Sequence, residues 1–285
     1  MNADLHCHSC HSDGVLTPTE LALRASANGI DLWALTDHDS LGGLDEARTV
    51  ARSLGMTFID GVEVSVTWCG TTVHIIGLGI DPSDIALERG LKGVRSGRDQ
   101  RAVDMAVALE KLGVQNAYAN AMRHAGNPAL VGRSHFARVL VEQGYATDVH
   151  AVFRNYLVPG RPGYVAHSWT SLERAVRWIC GAGGLAVVAH PGRYRLSDAG
   201  IEHLFSEFKA FGGAGIEVVS GSHGEAEVRT FARLARQFGF YASRASDFHA
   251  PGESPVDLGR SEMLPDGVVP IWHAPALSGS LACHL

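Results

Sequence analysis

Imidazole and carboxylate side chains in this chain gather at the ends of apolar β-type runs, and that placement constrains the fold more than any bulk property. The first run is Asp4-Leu5-His6-Cys7-His8, followed closely by Ser12-Asp13-Gly14, and the second is Leu32-Trp33-Ala34-Leu35-Thr36-Asp37-His38. Phe58-Ile59-Asp60-Gly61-Val62-Glu63 and Val73-His74-Ile75-Ile76-Gly77 come next. Leu185-Ala186-Val187-Val188-Ala189-His190-Pro191 and Ser246-Asp247-Phe248-His249 lie far down the chain. Imidazole and carboxylate hold Zn, Mn and Fe, and a centre of several metals needs about eight or nine such ligands at one spot. Parallel strands deliver that convergence, because their C-terminal ends point to one face of a barrel or open sheet.

A length of 285 residues suits one large barrel domain, or a domain with an insertion. Apolar content of 46% and charged content of 19% are those of a globular protein, and no apolar run approaches the ~20 residues of a membrane span. The first ligand run begins at Asp4, which leaves no room for a signal peptide, so the expected location is cytoplasmic. Cysteines 7, 10, 69, 180 and 283 are odd in number and irregularly spaced, as expected of reduced thiols. Cys7 and Cys10 form a C-x-x-C, but strand alternation points Cys7 away from His6 and His8, which argues against a redox or ligand role.

Before about residue 90 and after about 165, strand and helix alternate. Thr17-Pro18-Thr19-Glu20 reads as a helix start, with Thr17 as N-cap, Pro18 in the first turn and Glu20 closing a capping box. Further helices are expected over Gly43–Leu54, Ser171–Ala182, Ser197–Phe211 and Glu225–Phe238. Such alternation predicts a parallel sheet covered by helices, closed into a barrel of about seven strands. Residues 91–164 read instead as helices without strands: one capped by Ser96 and running to Leu112, one capped by Ser134 over Phe136–Gln143, and one capped by Thr147 over Asp148–Leu157. Pro159-Gly160-Arg161-Pro162-Gly163 closes this segment like a linker. The expected organisation is therefore a barrel from residues 1–90 and 165–285 with an inserted helical lid at 91–164. Residues 89–165 carry a net +6 while the rest of the chain carries −12. A basic lid over an acidic, metal-loaded body attracts and holds an anion; the rival reading of each arginine is a solvated helix face.

His6-x-His8 with Asp13 is the strongest motif, since residues i and i+2 of a strand face the same way and two imidazoles can share one metal. Together with Thr36-Asp37-His38, His190-Pro191 and Asp247-x-His249, it resembles the four motifs of the PHP (polymerase and histidinol phosphatase) superfamily. The resemblance spans both flanks of the chain and implies a distorted (β/α)7 barrel of α/β class binding two or three divalent metals. Gly61-Val62-Glu63-Val64-Ser65, Val73-His74-Ile75-Ile76-Gly77 and Gly132-Arg133-Ser134-His135-Phe136-Ala137-Arg138 are similar to the subgroup of nucleoside 3′,5′-bisphosphate phosphatases and a 5′→3′ exoribonuclease. By that resemblance His6, His8, Glu63 and Asp247 hold one metal, His74 and His190 a second with Glu63 bridging, and Asp13, His38 and His249 a third. It also implies phosphate hydrolysis by a hydroxide formed from water bridging two cations. His/Asp/Glu sites without thiolate suit Mn first, with Fe or Zn as alternatives. Asp37 or Asp39 is a candidate acceptor orienting a ligand imidazole.

Arg133-Ser134-His135 at an expected helix start is the lid's candidate phosphate site, through the helix N-terminus and a bidentate guanidinium. Arg193, just past His190-Pro191-Gly192, is a candidate catalytic clamp on the scissile phosphate. His223 and His273 are candidate proton donors to the leaving group, against surface or core roles. Trp68, Tyr164 and Trp169 are candidates for stacking on a base, against core packing. The expected substrate is a small anionic nucleotide with two phosphates, a nucleoside 3′,5′-bisphosphate whose 3′-phosphate is hydrolysed at the metals while Arg133, Ser134 and His135 hold the 5′-phosphate. Alternatives are 5′→3′ exonuclease action on short RNA or DNA, histidinol-phosphate phosphatase activity, and a nucleic-acid-binding regulatory module. The full ligand set and the overall acidity argue against that last reading. Neither a membrane nor an obligate protein partner is expected.

Overall fold

Seven strands follow one another round a single sheet in strict chain order, from β1 to β7. They and ten α-helices make up the computed structural model, which describes residues 1–277; Cys283 lies outside the described residues. In chain order the elements are β1 (Ala3–Asp4), α1 (Pro18–Ala27), β2 (Leu32–Leu35), α2 (Leu44–Ser53), β3 (Thr57–Trp68) and β4 (Thr71–Leu78). Five helices come next: α3 (Ile85–Ser96), α4 (Arg98–Glu110), α5 (Ala117–His124), α6 (Arg133–Glu142) and α7 (Val149–Val152). The chain then runs through α8 (Leu172–Gly181), β5 (Leu185–Val188), α9 (Asp198–Ala210), β6 (Gly215–Val219), α10 (Glu225–Phe238) and β7 (Tyr241–Arg244). Thr17 forms the expected capping box with Glu20 at the start of α1.

The sheet curls into a nearly closed α/β barrel, as the alternating pattern predicts. It is not wholly parallel. β4 runs antiparallel to both β3 and β5. The cause is local: Trp68 and Thr71 are joined through Cys69 and Gly70, both at positive φ (46° and 76°), the left-handed pair that makes a tight hairpin. Two residues leave no length for the helical crossover that a parallel neighbour requires. The seam between β7 and β1 is closed by the segments just beyond those strands. Leu5 N donates to Arg244 O (3.1 Å), Asp247 N to His6 O (2.9 Å) and His8 N to Phe248 O (2.9 Å).

Period-two alternation sorts the strand residues. Phe58, Val62, Val64 and Val66 of β3 point outward into the layer under α1, α2, α8, α9 and α10. Ile59 points into the barrel, where it packs with Ala3, Leu5, Leu32, Ala34, Ile76, Leu78 and Val187 above a plug of Ile271, Trp272 and Leu277. On that parity Gly61, Glu63 and Ser65 also point inward, above the apolar fill. One end of the barrel is hydrocarbon and the other carries the polar groups.

Between β4 and β5 the helices α4 to α7 build a second apolar core, with Met105, Leu109, Phe136, Leu140, Val152 and Leu157 buried in it. Their ends differ from the sequence expectation. Ser96 ends α3 and Gly97 separates it from α4; Gly132, not Ser134, is the N-cap of α6; Asp148, not Thr147, caps α7. The expected third helix passes at Phe153 into a π-turn that ends at Leu157, and α5 was not expected. Several donors and acceptors fall within one residue of each helix start here, and tertiary packing chooses among them.

Arg244 ties the seam together. It is 2% exposed, and its guanidinium donates to Glu262 O (2.6 Å), Asn2 Oδ1 (2.7 Å), Gly259 O (3.2 Å), Ala3 O and Ser261 O. An Arg244→Met change strips several buried carbonyls of their donor, at ~1–3 kcal/mol each. A loss of at least ~3 kcal/mol in unfolding free energy is expected from urea titration; a loss below ~1 kcal/mol shows that the seam does not depend on it.

Candidate metal centre

Each strand brings its ligand to the polar end of the barrel by its own direction. His6 and His8 follow β1, His38 follows β2, His190 follows β5, and Asp247 and His249 follow β7, all beyond C-terminal ends. His74 is near the start of β4, because that strand is antiparallel and its N-terminal half faces the same way. On the β3–β4 ladder Glu63 pairs with Ile76, so His74 is its diagonal neighbour across the pair, within side-chain reach.

All nine sequence candidates meet there. Glu63 is the hub: its carboxylate oxygens lie 3.3 Å from His6, 3.4 Å from His8, 2.7 Å from His38, 2.9 Å from His74 and 3.2 Å from His190. Asp247 Oδ1 is 3.1 Å from His8 Nε2 and 3.3 Å from His6 Nε2. Asp13 is 3.3 Å from His249, 3.8 Å from His8 and 3.9 Å from His38. Three groups have one ligand atom per residue with all atoms within 4.8 Å of one another: His6, His8 and Asp247; His38, Glu63 and His74; and His8, Asp13, His38 and His249. The resemblance placed His190 beside His74, and their ring centroids lie 5.3 Å apart, with both rings on Glu63 Oε1. His38 joins Glu63 and His74 as a group from the other carboxylate oxygen, Oε2.

The set grades from sealed to open. His6, His8, Glu63, His190 and Asp247 are buried, whereas Asp13, His38, His74 and His249 are partly exposed. A ligand approaching from solvent meets the second group first.

The donor chemistry fits divalent cations. His8 Nδ1, Asp13 Oδ1, His38 Nδ1, Glu63 Oε2 and His190 Nδ1 are all buried without a hydrogen-bond partner. His38 Nδ1 and Glu63 Oε2 stand 2.7 Å apart and still out of hydrogen-bond alignment. Buried lone pairs facing one another are costly unless a cation sits among them. Burial and the neighbouring His249 and His38 push His8 down to about 3. Burial also pushes His74 down to about 4, so both rings are neutral ligands at pH 7. Burial alone would raise Glu63, but His38, His74 and His6 around it hold it well below the usual carboxylate range. Burial likewise opposes the charge on His249, yet Asp13 and Asp247 raise it to about 9.

Two ligand residues sit on strained backbone, His190 at φ 26° and Asp247 at φ 54°. Non-glycine residues in that region cluster at functional sites, where the surroundings over-determine them. Glu217 supplies the restraint at His190: its Oε2 accepts from His190 N (2.6 Å), while its Oε1 takes the Nδ1–H of His6 (2.7 Å). That bond turns His6 Nε2 toward the cluster, the usual carboxylate–histidine–metal arrangement. Sequence reasoning missed Glu217; the signal was a lone acid in the apolar run Gly215-Ile216-Glu217-Val218-Val219. Neither Asp37 nor Asp39 orients an imidazole. Asp37 accepts from Ser9 N, Ser9 Oγ and Ser12 Oγ and so shapes the loop from His8 to Asp13. Asp39 accepts from Ser65 N, Ser65 Oγ and Arg98.

Other candidates fall elsewhere. His223 spends both ring nitrogens on backbone, facing Val218 O (3.1 Å) and Gly192 N (3.2 Å), and stacks on Phe231. It braces the His190–Arg193 turn and is not free to act on substrate. His273 is exposed beside the apolar plug. Trp68 is a core residue whose Nε1 donates to Glu207. His135 is fully buried and its Nδ1 accepts from Gly132 N, so it caps its own helix. Ser134 Oγ donates to Asp13 Oδ2 (2.7 Å), a ligand residue. Arg193 is half-exposed and 2.5 Å from Asp247 Oδ2. Cys7 points into the apolar core against Trp33, away from the imidazoles.

Arg133 forms a basic cluster that sequence reasoning saw only in part. Arg98 and Arg101 both lie over the ring of Trp169, at 4.6 and 5.3 Å, and Arg133 lies over Phe153 at 5.6 Å. Burial, and repulsion by Arg133 and Arg98, push Arg101 down to about 9. Burial first, then Arg98, lowers Arg133, with Tyr164 and Asp13 opposing. Charges that repel one another in this way are relieved by an anion.

A barrel of this topology with such a ligand set at its polar end defines a metal-dependent hydrolase of the phosphoesterase kind. The model of the PHP domain matches residues 4–220, and the chain belongs to that family. It is 54% identical over 271 residues to a 3′,5′-nucleoside bisphosphate phosphatase of Chromobacterium violaceum, covering 95% of each chain. It is 39% identical to a 5′-3′ exoribonuclease of Haemophilus influenzae, covering 94% of this chain and 97% of the other. Among solved structures it is similar to an amidohydrolase from Chromobacterium violaceum with bound sulfate and no metal. There the TM-score is 0.95 and the identity 53%, over 98% of this chain and 97% of the other.

Elemental analysis after reconstitution with Mn, Fe or Zn is expected to give at least two cations per chain; one or none removes the metal reading. Glu63→Gln keeps the shape of the hub and withdraws its charge. Turnover should fall by at least ~100-fold, the scale of losing an electrostatic catalytic group. A folded, metal-replete Glu63→Gln protein with near-normal turnover refutes the hub's role.

Proposed function

We propose that this protein is a phosphomonoesterase removing the 3′-phosphate of nucleoside 3′,5′-bisphosphates. The observation that carries the reading is the pairing of two features: a nine-ligand cluster at the polar end of the barrel, and the mutually repelling Arg98, Arg101 and Arg133 on the inserted helices. One takes the scissile phosphate and the other takes a second anionic group. We read residues 1–90 and 165–285 as the catalytic barrel and 91–164 as its lid.

His6, His8, Glu63 and Asp247 would hold one cation, His74 and His190 with Glu63 a second, and Asp13, His38 and His249 a third, with Mn the metal we favour. Such cations supply Lewis acidity, which lowers the pKa of water and offsets the negative charge of phosphate. The chain's own residues do the rest. Glu217 fixes the tautomer of His6 and the backbone of His190. Arg193, ion-paired to Asp247 and half-exposed, swings a guanidinium toward a phosphate at the rim. Arg133 holds the 5′-phosphate, and Arg98 and Arg101 add to the field there. Both have a guanidinium on the Trp169 ring, so we assign Trp169 to positioning arginines before stacking on a base. Reduced thiols at Cys7, Cys10, Cys69 and Cys180 suit a cytoplasmic protein.

A second reading is 5′→3′ exonucleolysis of short RNA. The exoribonuclease relative favours it, and the same arginines would then take the 5′ end of a strand. Phosphate release from the metal-loaded protein separates the readings. The panel is a nucleoside 3′,5′-bisphosphate, nucleoside monophosphates, histidinol phosphate and a 5′-phosphorylated oligonucleotide, with nucleotide products of the last followed by chromatography. Fastest turnover of the bisphosphate supports the proposal; faster release of mononucleotides from the oligonucleotide replaces it with the second reading.

A bidentate arginine–phosphate contact in a partly desolvated cleft contributes roughly 2–4 kcal/mol. Arg133→Ala is therefore expected to cut kcat/KM for the bisphosphate by ~30-fold to ~1,000-fold. A 3′-monophosphate that never used the contact should be nearly unaffected. Equal losses on both substrates assign Arg133 to the reacting phosphate or to the fold.

A further inference from the structure

Asp13, one of the partly exposed ligand residues, is held from the inserted helices at two points. Ser134 Oγ, in the first turn of α6, donates to Asp13 Oδ2 (2.7 Å). Arg138, one turn further along, donates from Nη2 to Asp13 O (2.9 Å). The same guanidinium grips Glu253 through Nε to Oε1 (3.0 Å) and Oε2 (3.2 Å) and through Nη2 to Oε2 (2.9 Å). Glu253 belongs to the loop that carries His249, and Ser254 Oγ accepts from His249 N (2.8 Å). Val15 N closes the circuit on His249 O (3.0 Å). Arg138 is 6% exposed, while Glu253 keeps part of its side chain in solvent. A planar fork of fixed donors is the group suited to hold two chain segments at one separation.

Two loops supply Asp13 and His249, and the main-chain bond from Val15 N to His249 O is one tie between them. Arg138 spans them from a helix that belongs to neither. We infer that Arg138 is a positioning residue for the group of Asp13, His38 and His249, and that cation binding there and docking of α6 on the barrel stabilise each other. The inference rests on the proposal that this group takes a cation. Any coupling of this kind is reciprocal: if docked α6 raises the affinity for the cation, the bound cation must favour docked α6 by the same factor.

Two arms test it. Arg138→Met keeps the buried stem and removes the fork, and Arg138→Lys keeps the charge without the fork. Both are reconstituted with Mn, and metal is followed by elemental analysis and by transfer to a chelator. One cation per chain should be lost, or released at least ~10-fold faster, the usual effect of losing an outer partner of a ligand. His249→Asn, which leaves Arg138 in place, should lose the same cation. The second arm needs no variant. Hydrogen exchange of the wild-type protein is compared with and without Mn, and residues 133–142 should exchange at least ~5-fold more slowly with metal, the low end of site-to-site couplings. The distant α9 serves as reference. If His249→Asn loses a cation while both Arg138 variants keep it at the normal release rate, the inference is overturned and the metal reading stands. If His249→Asn loses none, the metal reading of this group falls and the inference falls with it. Exchange of residues 133–142 that ignores Mn overturns the inference whatever the variants do.

Discussion

Five imidazoles converge on one buried carboxylate, Glu63, and the barrel is built so that this can happen. The imidazoles arrive from four strands or strand exits, His6 and His8 sharing the exit of β1, and the carboxylate rises from the inward parity of β3, above a floor of aliphatic side chains. The fill of that floor is apolar, and Glu63 and Ser65 stand above it on the inward parity of β3. The division fixes where water can go, and it makes the apolar fill responsible for holding ligands that would otherwise repel or collapse on one another. Glu217 extends the same logic by one layer. It binds a ring on one side and a strained backbone N–H on the other, so a single acid restrains two ligand residues.

Much of this was legible in the residues, because the relevant periods are short. Inward parity is a two-residue rule, and His6-x-His8, Asp247-x-His249 and the strand-end positions of His38 and His190 all follow from it. The capping box at Thr17 and the helices over the barrel are local patterns of the same kind. What resisted reading depended on partners far away in sequence. The direction of β4 was decided by a two-residue turn at Cys69 and Gly70, which does not announce itself as a departure from alternating strand and helix. Glu217 looks like any acid in a strand until His6, 211 residues away, is known to face it. Ser134 read as a cap because Ser often is one, but a glycine took the position and left the hydroxyl for Asp13. Arg98 and Arg101 stood out from the other lid arginines only in the structure, since nothing near them in sequence places Trp169 beneath both.

The inserted helices have their own apolar core yet remain committed to the barrel through polar contacts. Arg98 reaches Asp39 and Ser65, beside His38 and Glu63; Ser134 and Arg138 reach Asp13. Polar links of this sort transmit position without the bulk of a hydrophobic interface. The segment that gives the chain its excess positive charge therefore both faces an approaching anion and touches the residues that surround it.

The barrel seam has a temporal meaning. Main-chain bonds between His6 and Asp247 and between His8 and Phe248 join residues some 240 positions apart, and closing so long a loop comes at an entropic cost that local contacts do not bear. A growing chain emerging from the ribosome carries His6, His8, His38, Glu63 and His74 early, but it lacks the wall that turns them into a cavity until the residues after β7 follow. The metal centre is thus a property of the finished molecule: no N-terminal fragment holds the geometry, and a chain that stalls before its last ligands is left with loose imidazoles in place of a working centre.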